Sequence, residues 1–165
     1  MLNWFAVYVN VKHEKKVVNK LTELGINAYA PFIKKIQQWS DRKKTVEFPM
    51  LSGYVFVNIS ELEKDKVLSL PSVFSFIKFN GIEAKINDSE IAVLKSIEAS
   101  GYDVTQEIND FKVLDDIEIT QGQLKGLKGK IIQFQNTNYV QIVLESLHQS
   151  IKVKLPIHIL KTVNI

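Results

Sequence analysis

The sequence predicts an α+β fold with a mostly antiparallel sheet and flanking helices, followed by a small all-β barrel. Three observations lead to this prediction. Up to about residue 100, aromatic and β-branched runs alternate with segments of helical periodicity. Residues 101–112 are polar and lack an apolar period, and the remainder carries short β-branched pairs about ten residues apart. We therefore predict an amino-terminal domain at 1–100, a linker at 101–112 and a barrel domain of about five strands at 113–165.

The first half of the amino-terminal domain contains clear strand and helix signals. Residues 4–11 are aromatic and β-branched, which predicts a strand, and residues 13–24 switch to helical spacing. Gly25 follows as a carboxy-terminal cap, because glycine accepts positive φ. A second strand at 26–30 stops at Pro31, and residues 32–48 predict a long hairpin with a polar, basic tip.

The second half of this domain begins with an apolar strand at 50–59. Ser60 and Glu63 form a capping-box pattern that opens a helix ending before Pro71. A strand at 73–79 follows, and then a helix that is capped by Asn87 or Asp88 and runs to about residue 100. Strand alternation puts Met50, Ser52, Tyr54 and Phe56 on one face. Because only one face needs to cover the helices, we expect the aromatic face to be open to a partner; packing in the core is the alternative for Tyr8, Tyr54 and Phe56.

The composition excludes several classes of protein. Hydrophobic residues make up 45% of the 165 residues and charged residues 24%, which are ordinary globular values. There is no cysteine, so disulfides and thiolate chemistry are absent. The apolar run at residues 1–11 is too short to cross a bilayer and lacks the basic start of a signal peptide. We expect a soluble, cytoplasmic monomer without membrane contact.

The basic charge is concentrated in the opening third. Residues 1–60 carry nine Lys or Arg against four Asp or Glu, whereas residues 61–110 carry five against ten. On the predicted first helix, the lysines fall opposite the apolar face. This arrangement predicts contact with a polyanion, with a solvated helix surface as the alternative.

No catalytic or metal-binding constellation is recognisable. Gly122, Gly126 and Gly129 followed by Lys130 do not have P-loop spacing. The three histidines are widely separated and lack carboxylates at metal-ligand spacing, so surface or barrel positions explain them better. We expect no enzyme activity and no cofactor.

Two motifs carry family information. Residues 4–8 (WFAVY), a strand ending at Pro31, and residues 48–57 (FPMLSGYVFV) form the first. Residues 116–131 (DIEITQGQLKGLKGKI) form the second, in which an acidic residue and a strand precede spaced glycines. The first resembles the amino-terminal (NGN) domain of the NusG family and the second resembles its KOW motif. Ser52 stands where the family pattern usually has proline, and Leu127 where many members have an aromatic residue.

The resemblance implies a transcription elongation or antitermination factor that docks on the clamp of RNA polymerase. By motif, the residues implied in that hydrophobic contact are Tyr8, Pro31, Phe32, Leu51, Tyr54 and Phe56. It also implies that upstream or non-template DNA is contacted by Lys12, Lys15, Lys16 and Lys20, and at the hairpin tip by Arg42, Lys43 and Lys44.

The resemblance further implies that the KOW barrel recruits a second partner, such as a ribosomal protein or a termination factor. The turn residues implied in that contact are Leu124, Gly126 and Leu127. The departures from the housekeeping pattern suggest a specialised paralogue of the RfaH and UpxY kind, which control polysaccharide operons. A ribosome-associated or RNA-binding KOW protein is the alternative; it accounts for the barrel but not for the aromatic amino-terminal motif.

Overall fold

The computed structural model describes residues 1–105, 112–134 and 137–163. Its contacts divide the chain into two compact units, one formed by Met1–Phe32 with Pro49–Ile91 and the other by Ile33–Phe48 with Ala92–Ile165. The second unit thus takes in the hairpin as well as the carboxy-terminal strands. The predicted domain boundaries at residues 100 and 113 remain a prediction.

The secondary structure consists of fifteen strands and three α-helices among the described residues. The helices are α1 (Glu14–Glu23), α2 (Lys64–Leu68) and α3 (Asp88–Ser100). The strands are β1 (Asn3–Val9), β2 (Asn27–Tyr29), β3 (Phe32–Gln38), β4 (Lys43–Pro49), β5 (Tyr54–Ile59), β6 (Val73–Phe76), β7 (Lys78–Phe79), β8 (Ile82–Glu83), β9 (Lys85–Ile86), β10 (Val104–Thr105), β11 (Lys112–Ile119), β12 (Lys128–Phe134), β13 (Thr137–Leu144), β14 (Gln149–Val153) and β15 (Leu160–Thr162).

The first unit is built on an antiparallel sheet in the order β2-β5-β1-β6, and β9 also pairs with β1. The two motif strands are neighbours, with Phe5 opposite Val57 and Tyr8 opposite Tyr54. Because side chains alternate along a strand, Phe5 and Val7 point to one face. That face forms a core with α1 and α2, which contribute Val17, Leu21 and Val67.

Helix α1 follows the predicted amphipathic pattern. Val17 and Leu21 are buried, and Gly25 has φ of +80° where the chain leaves the helix. Leu24 is the last apolar residue of this spacing, but it is exposed. It forms the carboxy-terminal cap of the helix, so it no longer follows the helical spacing.

Three sequence predictions in the first unit need correction. The apolar strand begins at Tyr54 rather than at residue 50, because Gly53 turns the chain with φ of +80°. The predicted strand at 73–79 is two strands, β6 and β7, and the short strands β8 and β9 were missed. The capping box between Ser60 and Glu63 is present, but it opens a 3-10 turn that leads into α2.

The second unit contains the hairpin β3–β4 and a six-stranded antiparallel sheet in the order β10-β14-β13-β12-β11-β15. Within the described ranges, no pairing between β10 and β15 closes this sheet, so the predicted closed barrel is not found. Strand β10 lies in the segment predicted to be a linker, and the linker residues 106–111 lie outside the described residues.

Glycine permits one close approach in this sheet. A Cβ atom on Gly129 would lie 2.6 Å from the carbonyl oxygen of Gln141 and 2.8 Å from Cγ1 of Val140. Only glycine fits there without a shift of the neighbouring strand. The predicted fold class, α+β with an antiparallel amino-terminal sheet and a β-rich carboxy-terminal part, is confirmed.

Candidate binding surfaces

The six residues predicted to dock on a polymerase do not share one open surface. Tyr8 is 41% exposed and Phe32 is half-buried. The remaining four are buried: Pro31, Leu51, Tyr54 and Phe56. The expectation of an open aromatic face is therefore wrong for Tyr54 and Phe56, the two aromatic residues of that face. The physical reason is that β5 is a central strand whose side chains are buried on both faces, so strand alternation alone could not identify an open one.

Tyr8 is the exposed aromatic residue of the motif strands. It lies next to the end of β1, opposite Tyr54 on β5 and Ser75 on β6. The rings of Tyr8 and Tyr54 are 5.3 Å apart at 54°, within the range of favourable aromatic contact. Buried Tyr54 therefore supports one side of the exposed Tyr8 ring.

Phe74 is an exposed aromatic residue that the sequence analysis missed. It lies on β6, where the pairing with β1 shifts between Tyr8 and Val9. The shift lets Val73 and Phe76 both be buried while Phe74 is not. Nothing in the local spacing of apolar residues predicts such a bulge.

The turn before β5 is fixed by a buried carboxylate. Oε1 of Glu14 accepts hydrogen bonds from the backbone N–H of Gly53 (3.0 Å) and of Lys12 (3.2 Å). The N–H of Val9 in turn donates to the carbonyl of Gly53 at 2.9 Å. Lys12 has φ of +72°, an unfavourable conformation for a residue with a side chain. Glu14 thus holds the end of β1 and the motif turn together.

The four lysines predicted to contact DNA from the first helix are all exposed: Lys12, Lys15, Lys16 and Lys20. Three of them lie on α1, and Lys12 lies in the turn before it. Lys15 lies over the ring of Phe32, with Nζ 5.1 Å from the ring centre. A residue of the predicted DNA contact therefore touches a residue of the predicted polymerase contact. A groove of about 440 Å³ is lined by Lys16, Val17, Lys20, Leu70, Pro71 and Ser72. Nδ1 of His13 lies 2.9 Å from Oγ of Ser72 beside it.

The hairpin tip is basic, and it also carries a tryptophan that the sequence analysis did not single out. Arg42, Lys43 and Lys44 are exposed, and so is the whole of residues 36–45. The N–H of Trp39 donates to the carbonyl of Arg42 at 2.8 Å, which closes the tip. Nζ of Lys44 lies 4.6 Å from the centre of the Trp39 ring. In the sequence, a tryptophan directly before a basic cluster is the pattern that could have identified this residue as a candidate.

The predicted partner-binding turn of the KOW motif is only partly accessible. Leu124 is buried, Leu127 is half-buried and Gly126 is exposed with φ of +91°. The N–H of Gly126 donates to the carbonyl of Ile119 at 2.8 Å, and the N–H of Ile119 donates to the carbonyl of Leu127 at 2.9 Å. The burial of Leu124 makes it a packing residue of the turn rather than an open contact.

Among the residues that the structure describes, Lys64 and Lys152 have shifted pKa values. Hydrogen bonds to Glu61 and Glu83 raise the pKa of Lys64, which also lies 4.7 Å from the centre of the Phe5 ring. Burial lowers the pKa of Lys152, whose Nζ donates to Oγ of Ser150 at 3.0 Å.

Across the part of the chain that the structure describes, no cluster of His, Cys, Asp and Glu could hold a metal ion. No described helix combines the length and the apolar character needed to cross a membrane.

Comparison with known proteins identifies the amino-terminal part. A family model described as "Transcription termination factor nusG" matches residues 2–95. A solved structure titled "Domain interaction in Thermotoga maritima NusG" covers 99% of this chain and 98% of its own, with 19% identity and a TM-score of 0.60, and so shares the fold. The structure of an MjSpt4:Spt5 complex covers 98% of both chains at 20% identity, with a TM-score of only 0.33. Among curated proteins, none matches this chain.

Proposed function

The chain belongs to the NusG family of transcription factors, and we propose that it regulates transcript elongation or antitermination by binding RNA polymerase. The observation that carries this proposal is the family match over residues 2–95, which contain both motif strands and the helix α1. The alternative, a ribosome-associated or RNA-binding KOW protein, offers no explanation for that match.

The proposed polymerase contact centres on Tyr8. Its exposed ring is supported by Tyr54, and exposed Phe74 lies on the neighbouring strand. Large aromatic residues of this kind contribute disproportionately to protein interfaces. Half-buried Phe32 is a further candidate. The buried residues Pro31, Leu51, Tyr54 and Phe56 would act by shaping this surface from within.

The proposed nucleic-acid contact uses exposed cations. Lys12, Lys15, Lys16 and Lys20 extend from α1 and the residues just before it, and the groove beside the helix is lined by two of them. Exposed lysines bind phosphate without reading sequence, so this contact would position the protein on DNA. The hairpin-tip residues Arg42, Lys43 and Lys44 would provide a second contact.

In the carboxy-terminal part, the proposed partner contact is restricted to the exposed edge of the KOW turn. Gly126 and half-buried Leu127 are accessible there, whereas Leu124 is not. A ribosomal protein or a termination factor would be the partner. Leu127 and Ser52, which depart from the usual family pattern, support a specialised paralogue. Deletion of the gene should then change transcription at a few operons, and a global change in transcription would contradict this assignment.

The proposal is tested by co-purification with core RNA polymerase at increasing salt. A hydrophobic dock should survive moderate salt, whereas lysine–phosphate binding should weaken steeply. Tyr8→Ala should weaken polymerase binding by roughly tenfold or more, as expected for a central interface aromatic. Leu62→Ala, at an exposed leucine outside the proposed contact, is the matched control and should bind like the wild type. Binding to RNA alone, lost at moderate salt, would instead support the alternative.

A further inference from the structure

Trp39 occupies an unusual place for a tryptophan. It is 43% exposed at the tip of a hairpin in which residues 36–45 are all exposed, whereas the other tryptophan, Trp4, is 8% exposed. The turn is closed by the hydrogen bond from its N–H to the carbonyl of Arg42. Nε2 of Gln38 donates to the carbonyl of Trp39 at 3.0 Å. The backbone on both sides of the ring is therefore held in place.

The charge around this ring is strongly biased. The tip sequence after Trp39 is Ser40-Asp41-Arg42-Lys43-Lys44, with three cations against one carboxylate. The ammonium of Lys44 lies 4.6 Å from the ring centre, which is a cation–π contact. This contact orders a long lysine side chain over one face of a ring that is 43% exposed. An ordered cation next to an exposed aromatic ring is suited to a ligand that combines a phosphate with a flat ring.

We propose that Trp39 is a stacking site for an unpaired nucleobase, with Arg42, Lys43 and Lys44 binding the flanking phosphates of a single-stranded segment. The inference deepens the DNA contact proposed above for the hairpin tip. Aromatic side chains interleaved with cations are how proteins hold single strands, because every base offers a π-face. In a duplex the bases are already stacked on each other, so the ring would gain little there.

An acidic protein surface is the competing occupant, since it too would satisfy the cations. The tip favours the nucleobase because a large flat ring lies among the charges, whereas acidic peptides need only the charges. The two occupants are separated by removing the base while keeping every phosphate. An abasic oligonucleotide does this.

The experiment uses the full chain without polymerase, a labelled 12-nucleotide thymidine oligomer, the abasic oligomer of equal length, and the corresponding duplex. Affinity is measured by fluorescence anisotropy over a range of salt concentrations. Tryptophan fluorescence is followed in parallel. Because the chain has two tryptophans and Trp4 is buried, quenching by the oligomer should report Trp39 and should disappear in Trp39→Phe.

The variants separate stacking from charge. Trp39→Ala should weaken binding of the thymidine oligomer by about tenfold, the effect of losing one stacked base, without changing the salt dependence. Lys44→Gln should reduce the slope of log affinity against log salt by about 0.7, the value for one phosphate contact on a single strand. Ile36→Ala removes an exposed apolar side chain from the same hairpin and should bind within about twofold of the wild type.

Three results would overturn the inference. They are equal binding of the thymidine and abasic oligomers, equal effects of Trp39→Ala and Ile36→Ala, or a preference for the duplex. Because polymerase is absent, loss of the Tyr8-dependent polymerase contact would leave this test unaffected. Conversely, if the protein binds polymerase through Tyr8 but shows no Trp39-dependent stacking, the proposed function stands and only this inference fails.

Discussion

Strand β5 and the hairpin β3–β4 both carry aromatic residues, but they use them in opposite ways. Tyr54 and Phe56 on β5 are buried, and Phe56 stacks with Tyr29 at a ring distance of 6.4 Å. Trp39 and Ile36 on the hairpin are exposed among lysines. The comparison teaches that most aromatic residues of a family motif can belong to the scaffold, with Tyr8 as the exposed exception, whereas other accessible aromatic residues lie in segments that the motif does not include.

The largest expected effect comes from truncating the scaffold. Phe56→Ala should lower the free energy of unfolding by about 3–5 kcal/mol, because it leaves a cavity at a position with 0% exposure. Ile36→Ala on the hairpin, where the side chain is 72% exposed, should change it by less than about 0.5 kcal/mol. Chemical denaturation of both variants measures the contrast, and equal losses would abolish the distinction between the two regions.

A smaller effect should follow from loosening the motif turn without removing an apolar side chain. Glu14→Gln keeps the side-chain volume but weakens charge-assisted hydrogen bonds to the N–H groups of Gly53 and Lys12, so it should cost about 1–2 kcal/mol of unfolding free energy. Glu23→Gln, at an exposed ion pair with Lys20, is the control and should cost under about 0.5 kcal/mol. Should the two substitutions prove equivalent, the buried carboxylate would not be what fixes this turn.

The smallest expected effect is on the pH dependence of stability, which a buried lysine changes and an exposed lysine does not. Burial lowers the pKa of Lys152 from 10.5, so the folded chain binds fewer protons than the unfolded chain between the lowered value and 10.5. This lysine therefore makes stability rise with pH through that window. Lys64, whose pKa is raised by Glu61 and Glu83, has the opposite sign: its contribution is lost as pH rises through the folded value.

Unfolding at several pH values from 7 to just above 10.5 measures these contributions. Lys152→Met should flatten the rise below pH 10.5 relative to the wild type, and Lys64→Met should remove a fall that begins near pH 10.5. Lys154→Met, at an exposed lysine two residues further along, is the matched control. An unchanged pH profile in Lys152→Met would mean that the burial of this ammonium has no energetic consequence.

The sequence predicted the elements with strong local signals. Helix α1, the hairpin, the capping box and α3 are all present, because amphipathic spacing, turn residues and caps are encoded within a few positions. The lysine face was likewise predictable from helical spacing, and the lysines on α1 are exposed in the structure.

The features that were missed depend on tertiary structure. Burial of Tyr54 and Phe56 depends on what covers each face of a central strand, which strand alternation does not reveal. The exposure of Phe74 depends on a shift in pairing between β1 and β6, and the start of β5 depends on a carboxylate 39 positions away in the chain. Trp39 was predictable in principle, since it directly precedes a basic turn.

The most direct test of the account is an in vitro elongation assay on a terminator-containing template. Adding the wild-type chain to RNA polymerase should change the ratio of full-length to terminated transcript, Leu62→Ala should act like the wild type, and Tyr8→Ala should leave the ratio near that of polymerase alone. A wild-type chain without effect, or a Tyr8→Ala variant as active as the wild type, would contradict the proposal that this family member acts on polymerase through the exposed end of its first strand.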